Sequence, residues 1–333
     1  MATNVSYASG DTNLEALVLH CLPDFGEHGD GIINSNFLTA MLKEKGCYKE
    51  VEGGLEFWYG IDYSENSNFK WQGKNDDMTA NSQDPSKRLR FEPKIFTGSV
   101  VLNDFDKARN KGRAAIKEYL TTLNKQADST IKNQFNSAFW KASPGTNDVD
   151  SIPSIVSATP TTGTVGGLSR ASETYLRNGV YSTAIADIGS EAGIGDLARL
   201  QFTYAVGQSI ADIVIMDQIR FANLVAYLTT LMRWKPSDKM AQLKIPSIEM
   251  GGATIGYENR QVTGTNNTIT AGYMYGLNSN FLMIKRLIGE TQDGWEREFR
   301  RVGVSLNKAV FYEWFGNLST NNPRAHWVAT SLT

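Results

Sequence analysis

The chain has 333 residues, a hydrophobic fraction of 41%, a charged fraction of 20% and a formal net charge of -2. At roughly 150 residues per domain, this length has room for about two domains. The near-neutral charge argues against a general nucleic-acid binder, which carries a basic excess, although local basic patches stay open. No apolar run reaches the ~18 residues of a membrane helix, and residues 1–9 lack a secretory signal pattern, so we expect a cytoplasmic, reducing compartment.

The first fifty residues predict an N-terminal arm with two short helices. One helix is expected over 13–22, where Pro23 ends it, and the second over 34–46. This region is too short to bury much core alone, so we expect it to pack on something else. Cys21 and Cys47 are too far apart for a CxxC motif, which favours two buried free thiols and leaves one disulfide open.

The stretch 55–102 predicts a long β-hairpin with an exposed tip. Its arms, 55–63 and 88–102, alternate in the period-two pattern of a strand, and Pro93 marks an edge or bulge position. The residues expected on one face are Leu55, Phe57, Tyr59, Ile61 and Tyr63 in the first arm and Leu89, Phe91 and Ile95 in the second. The polar connection between the arms exceeds the ~12–15 residues of an ordinary loop. We expect it to reach solvent or another molecule, with a plain surface insertion as the alternative.

A long amphipathic helix is predicted directly after the hairpin, over 104–140. Apolar residues recur at every third or fourth position, so they form one stripe. At ~1.5 Å per residue, the helix would be about 50 Å long and would act as a spine across a domain, with a coiled coil as a minor alternative.

The start of this helix carries four basic residues: Lys107, Arg109, Lys111 and Arg113. A solvated face with local ion pairs is the favoured interpretation. The functional alternative is a contact with an acidic partner, either a neighbouring subunit or packaged nucleic acid.

The second half of the chain mixes helices and strands. Residues 143–167 are rich in Ser, Thr, Gly and Pro, which predicts a linker or surface meander and the best domain boundary. Helices are expected over 171–188, 194–208 and 218–234, and strands over 212–216, 253–257, 274–277 and 281–287. This order contains no regular βαβ repeat, so we predict the α+β class.

No residue pattern in the chain indicates catalysis. His20, His28 and His326 match no ligand spacing, and the G-x-G-x-x-A match at 193–198 lacks the preceding strand of a dinucleotide-binding loop. A solvated acidic turn is predicted for Asp24, Glu27, His28 and Asp30, with a cation site as the alternative. A second alternative is a hydrolase active site that uses Asp24, Glu27 and His28. We therefore predict no catalytic residue, cofactor or metal, and no enzyme activity.

Four segments, taken in order, resemble parts of the major capsid proteins of tailed bacteriophages, which have the Hong Kong 97-type fold. The first is the hairpin followed by the long helix. The other three are Val165–Arg170 with Tyr175–Asn178, then Ala211–Asp217, then Phe315–His326.

The resemblance implies five regions. They are an N-terminal arm (1–54), an extended E-loop hairpin (55–103), a P-domain spine helix (104–145), an A-domain (146–285) and a return to the P-domain (286–333). It further implies a structural coat protein that forms pentamers and hexamers of an icosahedral virion shell, assembled in the bacterial cytoplasm around double-stranded DNA. An encapsulin-like compartment shell is the alternative.

The resemblance also implies that the E-loop lies over an adjacent subunit. The residues expected at that contact are Tyr63, Phe69, Lys70, Trp71, Lys74, Arg88 and Arg90. The expected partners are other copies of the chain and separate scaffolding, portal and decoration proteins, with neither sequence-specific DNA binding nor a membrane. No crosslinking motif is matched, so we expect no covalent crosslink between subunits.

Overall fold

The computed structural model describes residues 37–74, 77, 81–82, 86–103, 122–123, 126–127, 130–131, 133–182, 188–230, 247–258, 269–287, 296–301 and 307–330. The predicted helix 13–22, Cys21 and the acidic turn 24–30 lie outside these ranges. The same holds for the basic cluster Lys107, Arg109, Lys111 and Arg113.

The described elements alternate between short helices and many strands. In chain order they are α1 (Phe37–Glu44), β1 (Tyr48–Val51), β2 (Phe57–Asp62), β3 (Ser86–Phe91), β4 (Lys94–Asn103), α2 (133–139), α3 (Ile152–Ile155), β5 (Thr164–Val165), β6 (Leu168–Ser169), a 3-10 helix (Thr174–Leu176), β7 (Gly179–Tyr181), α4 (Glu191–Thr203), β8 (Ile213–Met216), α5 (Gln218–Thr230), β9 (Ser247–Met250), β10 (Ala253–Tyr257), β11 (Met274–Leu277), β12 (Leu282–Leu287), β13 (Glu296–Arg301), β14 (Asn307–Thr320), a second 3-10 helix (Pro323–Ala325) and β15 (Trp327–Ala329).

These strands form two large sheets and two small hairpins. The five-stranded sheet has the order β1-β12-β14-β13, and β4 also pairs with β14. The six-stranded sheet has the order β7-β15-β11-β8-β10-β9. The pairs β2-β3 and β5-β6 stand as separate two-stranded ladders. Most pairings are antiparallel and the helices follow no regular crossover, which confirms the α+β class.

The six-stranded sheet is buried on both faces. In β8, Ile213 and Ile215 point to the central core, while Val214 and Met216 point to a second core beneath α4 and α5. This alternation follows from the two-residue period of a strand. A strand covered on both sides has no polar face, which is why β8 consists of four consecutive apolar residues.

Helix α1 belongs to the central core. Residues 37–42 are buried, and the Phe37 ring lies where a side chain on Gly256 would be, since a Cβ there would stand 2.3 Å from the ring. Strand β1 then pairs in parallel with β12. The last part of the predicted arm 1–54 is thus integrated into the body of this chain, because its apolar residues complete a core built by later strands.

The chain crosses between the two large sheets at two adjacent turns. One turn joins β11 to β12, the other joins β14 to β15, and the backbone N–H of Asn321 donates to the carbonyl of Phe281 across them at 3.2 Å. His326 is fully buried at this junction. Its Nδ1 accepts from the backbone N–H of Asn278 at 3.1 Å, so Nε2 carries the proton and faces Thr320 Oγ1 at 3.2 Å.

Several predicted elements are confirmed. Strands β8, β10, β11 and β12, helices α4 and α5, and the helical residues among 122–139 lie where the sequence predicts them. Cys47 is a buried free thiol, and burial raises its pKa to about 11. The G-x-G-x-x-A match lies inside α4 rather than in a loop before a helix, so it has no nucleotide-binding geometry.

Other predictions are wrong. The return arm 88–102 splits at Glu92 and Pro93, and its second part, β4, pairs with β14 instead of β2. Ile95 is therefore 64% exposed rather than on the buried face. The predicted helix 171–188 is, in its described part, a 3-10 turn and strand β7.

The region 143–167 is not a linker, because Ile152, Ile155 and Val156 are buried in the central core. Within the segment 286–333, β14 lies in the five-stranded sheet, whereas β15 pairs with β7 and β11 of the six-stranded sheet. The five predicted regions stay a prediction.

We expect His326 to make the fold acid-sensitive. Burial lowers the pKa of His326 to about 4, below its ordinary value of 6.5, so the unfolded chain takes up this proton first. The free energy of unfolding should therefore fall as the pH drops from about 6.5 to about 4, by roughly 3 kcal/mol in total, and this contribution should be constant outside that window. Denaturant unfolding across this range should show a shallower slope for His326→Gln, and equal slopes would contradict the assignment.

Candidate functional site

The β2-β3 hairpin has a buried inner face and an exposed outer face. Residues pair in register from Phe57 opposite Phe91 to Asp62 opposite Ser86. Phe57, Ile61 and Leu89 point inward and are buried, as the sequence predicts.

The inner face packs on a segment of the same chain. This segment, residues 163–178, is called the platform here. Val165 and Leu176 of the platform form one buried cluster with the inner face of the hairpin. The hairpin is thus anchored to its own chain along β2 and β3, and only the connection beyond them projects.

A tight turn sets the distance between platform and hairpin. Gly166 and Gly167 connect β5 to β6 with φ values of 54° and 77°, the left-handed conformation of a two-residue hairpin turn. The carbonyl of Gly166 accepts from the backbone N–H of Arg90 at 3.0 Å. A Cβ on Gly166 would stand 2.8 Å from Leu89 Cβ, so only glycine permits this approach.

Polar and aromatic contacts fasten the far end of the hairpin. The Lys87 ammonium lies 2.5 Å from the Glu173 carboxylate, and this hydrogen bond lowers the pKa of Glu173. Tyr63 stacks on Tyr175 with ring centroids 5.1 Å apart. Burial is the main cause that raises the pKa of Tyr175, and the neighbouring Glu173 raises it further, so the phenol stays protonated.

The platform is itself held by buried polar side chains. The Arg170 guanidinium donates to the carbonyl of Ser154 at 2.8 Å and to that of Ile155 at the end of α3. Burial lowers the pKa of Arg170 to about 10, which still leaves it charged at neutral pH. Asn178 exchanges two hydrogen bonds with the backbone of Ser157, at 3.0 and 2.9 Å.

A third set of contacts joins the hairpin to the five-stranded sheet. The Tyr59 hydroxyl lies 2.7 Å from Ser319 Oγ of β14, and burial raises the pKa of Tyr59 to about 12. The Lys285 ammonium of β12 lies 4.0 Å from the centroid of the Tyr59 ring, within the range of a cation–π contact.

In the described part of the tip, hydrogen bonds join the two sides, while the aromatic side chains are exposed. The side-chain amide of Asn68 donates to the carbonyl of Asn81 at 2.8 Å, and its oxygen accepts from the N–H of Asn81 at 3.0 Å, which holds the two sides of the tip together. Phe69 is 85% exposed and Trp71 is fully exposed. An aromatic side chain gains most from burial, so this arrangement is unfavourable for an isolated chain.

The predicted contact residues fall into two groups. Phe69, Lys70, Trp71 and Lys74 lie in the exposed tip. Tyr63, Arg88 and Arg90 instead have partners within the chain, since the two guanidinium groups lie 5.1 and 5.5 Å from the Trp58 ring. Sequence reasoning omitted Trp58, which is half-exposed. It singled out Val165–Arg170 and Tyr175–Asn178 by resemblance, but it did not predict that this segment packs under the hairpin.

The described residues hold no cluster of three metal-ligating side chains. Among the same residues, no helix is both long enough and apolar enough to cross a bilayer.

Comparisons with known proteins identify the fold. No family model matches the sequence, and no curated protein matches it. The capsid asymmetric unit of cyanophage A-1(L) matches with a TM-score of 0.60 at 11% identity, over 86% of this chain and 90% of that one. The capsid of the native GTA particle matches with a TM-score of 0.53 at 11% identity, over 88% and 90% of the two chains. The capsid of Myoviridae phage XM1 matches with a TM-score of 0.50 at 13% identity, over 89% and 92%. The chain therefore has the Hong Kong 97-type fold that the sequence predicts.

Replacing Gly166 should loosen the hairpin from the platform. Gly166→Ala and Gly167→Ala both strain a left-handed residue, but only the first adds a methyl group against Leu89. We expect Gly166→Ala to lower the free energy of unfolding by roughly 1–3 kcal/mol more than Gly167→Ala does. Denaturant unfolding measures the difference, and equal losses would show that the contact with Leu89 contributes nothing.

Proposed function

We propose that this chain is the major capsid protein of a tailed double-stranded DNA bacteriophage, and that pentamers and hexamers of it tile an icosahedral shell. The observation that carries the proposal is the match to phage capsid subunits over nearly the full length of both chains. In this proposal the protein resides in the virion and its role is structural.

The distribution of exposed apolar residues supports assembly through the hairpin. Nine large apolar side chains are exposed in the described part of the chain, and five of them belong to the hairpin and its tip: Leu55, Trp58, Tyr63, Phe69 and Trp71. Clustered exposed aromatic residues mark protein interfaces, where Trp and Tyr contribute most of the binding energy. A subunit that buries them in a shell removes an unfavourable contact with water at every copy.

The anchoring of the hairpin also favours binding of its tip to another subunit. The platform holds β2 and β3 at both ends, through Gly166 near the root and Tyr175 near the tip. A tip fixed in this way loses little conformational entropy on binding, because its support is already ordered. We propose that the tip residues Phe69, Lys70, Trp71 and Lys74 contact a neighbouring copy of the chain.

Further partners follow from the same proposal. A shell of this kind takes a portal, a separate scaffolding protein and decoration proteins, and it encloses DNA without reading its sequence. The matched structures are capsids of phages and of a GTA particle, so the compartment-shell alternative is not favoured.

Removing the two tip aromatics should block assembly but not folding. In Phe69→Ser/Trp71→Ser the lost rings are exposed in the subunit, so its free energy of unfolding should stay within the roughly ±0.5 kcal/mol typical of surface changes. Sedimentation velocity and electron microscopy should show shells or rings for the unaltered chain, expressed with its scaffolding protein where one is required, and a shift to free subunits for the variant.

The control is Phe202→Ser, which removes a 69% exposed ring from α4 instead of the tip. Normal shells from the tip variant would contradict the role of the tip. A chain that stays monomeric under all conditions without any substitution would contradict the proposed function itself.

A further inference from the structure

An open cleft of about 630 Å³ lies between the root of the hairpin and the chain that leads into the platform. One end of the cleft, called the Arg170 end here, is formed by five of its lining residues: Ser154, Ser157, Gly163, Thr164 and Arg170. The backbone N–H of Arg170 donates to the carbonyl of Gly163 at 3.0 Å, and its side chain donates to the carbonyl of Ser154 at 2.8 Å. These contacts bring the platform and α3 together around the guanidinium group.

The charge of Arg170 has no counter-charge among the residues that the structure describes. The side chain is 2% exposed, it forms no salt bridge within those residues, and its Nε forms no hydrogen bond with them. Burial lowers the pKa of Arg170 to about 10, and no described carboxylate opposes that effect. The carbonyls that accept from Arg170 carry no net charge, whereas a buried charge is costly unless an opposite charge pairs with it.

Three of the four carboxylates that line the cleft are paired with cations other than Arg170. The pairs are Glu56 with Arg90 at 4.0 Å, Glu92 with Lys94 at 3.0 Å, and Asp148 with Lys141. Each pair is neutral, so these carboxylates neither compensate Arg170 nor give the cleft a net negative charge.

Asp150, the fourth carboxylate of the cleft, is stabilised by other groups. It accepts from the side-chain amide of Asn317 at 2.7 Å. Burial raises the pKa of Asp150, and the Asn317 amide and the charge of Lys94 counter part of that rise. Asp150 thus lies near a cation that is not Arg170, and the guanidinium stays uncompensated among the described charged groups of the cleft.

The hydrogen bonds of Arg170 favour a tetrahedral oxyanion over a carboxylate as the missing partner. Its Nη2 has two protons, and the carbonyls of Ser154 and Ile155 accept both. Both edges of a guanidinium that bind a carboxylate through two parallel hydrogen bonds include this nitrogen. A planar carboxylate is therefore denied its preferred geometry at Arg170.

A phosphate group fits the same end better. Its oxygens point in several directions, so it can accept one guanidinium proton together with a hydroxyl proton from a neighbouring side chain. Thr164 supplies a hydroxyl at this end. The backbone beside it is open, since a Cβ on Gly163 would have no atom within 4 Å.

We propose that the Arg170 end of the cleft binds a phosphate group, whose negative charge is the missing partner of the buried guanidinium. Free phosphate and the phosphodiester groups of DNA share this chemistry. Phosphate binding here goes beyond the proposed shell function and does not depend on it.

The first test is calorimetric titration of the full chain with inorganic phosphate, with chloride keeping the ionic strength constant. The unaltered chain should bind phosphate saturably. Arg170→Gln, which keeps an amide donor for the carbonyls, should weaken binding roughly tenfold or more, because a hydrogen bond to a charged group is lost. Absence of saturable binding by the unaltered chain would overturn the proposal, and so would an equal affinity for acetate.

A second pair of variants supplies the counter-charge from within the chain and leaves Arg170 in place. Ser157 Oγ accepts from the backbone N–H of Thr159 at 3.1 Å, and both Asp and Asn keep an acceptor at that position. Ser157→Asp adds a carboxylate at the Arg170 end, and Ser157→Asn is the uncharged control of the same shape.

Without phosphate, Ser157→Asp should unfold at a higher denaturant concentration than Ser157→Asn, because its carboxylate compensates Arg170. Added phosphate should stabilise Ser157→Asn and the unaltered chain but not Ser157→Asp, whose site is already neutralised. Equal stability of the two variants together with an equal response to phosphate would overturn the proposal.

Competition with a short DNA duplex identifies the source of the phosphate group. Displacement of inorganic phosphate by the duplex would assign the site to phosphodiester groups, and retention would assign it to free phosphate. If the chain forms shells but binds no phosphate, the proposed function stands and this inference fails. If it binds phosphate as described but never assembles, the inference stands and the proposed function fails.

Discussion

The packing of the β2-β3 hairpin on the platform is the contact on which the proposed role of the tip depends. A polar loop on an unsupported two-stranded ladder would sample many positions, because an isolated hairpin is marginally stable in water. Here the inner face is buried against Val165 and Leu176, and Gly166 brings the backbones into hydrogen-bonding distance. The exposed aromatics of the tip are consequently presented in one place, which lowers the entropic cost of binding them.

The platform is bonded to a closely packed body. Two crossings between the large sheets meet at the buried His326, and the six-stranded sheet is covered on both faces. Arg170 and Asn178 tie the platform to the region around α3 through hydrogen bonds to backbone carbonyls. Tyr59 also joins the hairpin directly to the five-stranded sheet, through Ser319 of β14 and Lys285 of β12.

Local sequence patterns correctly predicted the strands in which the burial of each residue follows from the pattern itself. Four consecutive apolar residues indicated β8 because that strand is buried on both faces, and alternation placed Phe57, Ile61 and Leu89 correctly. The α+β class and the fold were also predicted, the latter from the order of four segments.

Pairing partners distant in sequence could not be predicted. The alternation of apolar and polar residues in β4 would allow this strand to pair with either β2 or β14. The choice depends on β14, a strand some 200 residues later in the chain. The composition of the region around Ile152 predicts a linker because Ser, Thr and Pro dominate it, whereas its few apolar residues decide its position. The packing of the platform on the hairpin could not be predicted either, because the two segments are distant in sequence.

Hydroxyl-radical footprinting of assembled particles against free subunits tests the central claim most directly. Trp71 and Phe69 are exposed in the free subunit, so their side chains should react readily there and should be strongly protected in the particle. The platform residue Tyr175 should react equally in both states, because its contact with Tyr63 lies within one chain. Equal reactivity of Trp71 and Phe69 in the two states would contradict the account.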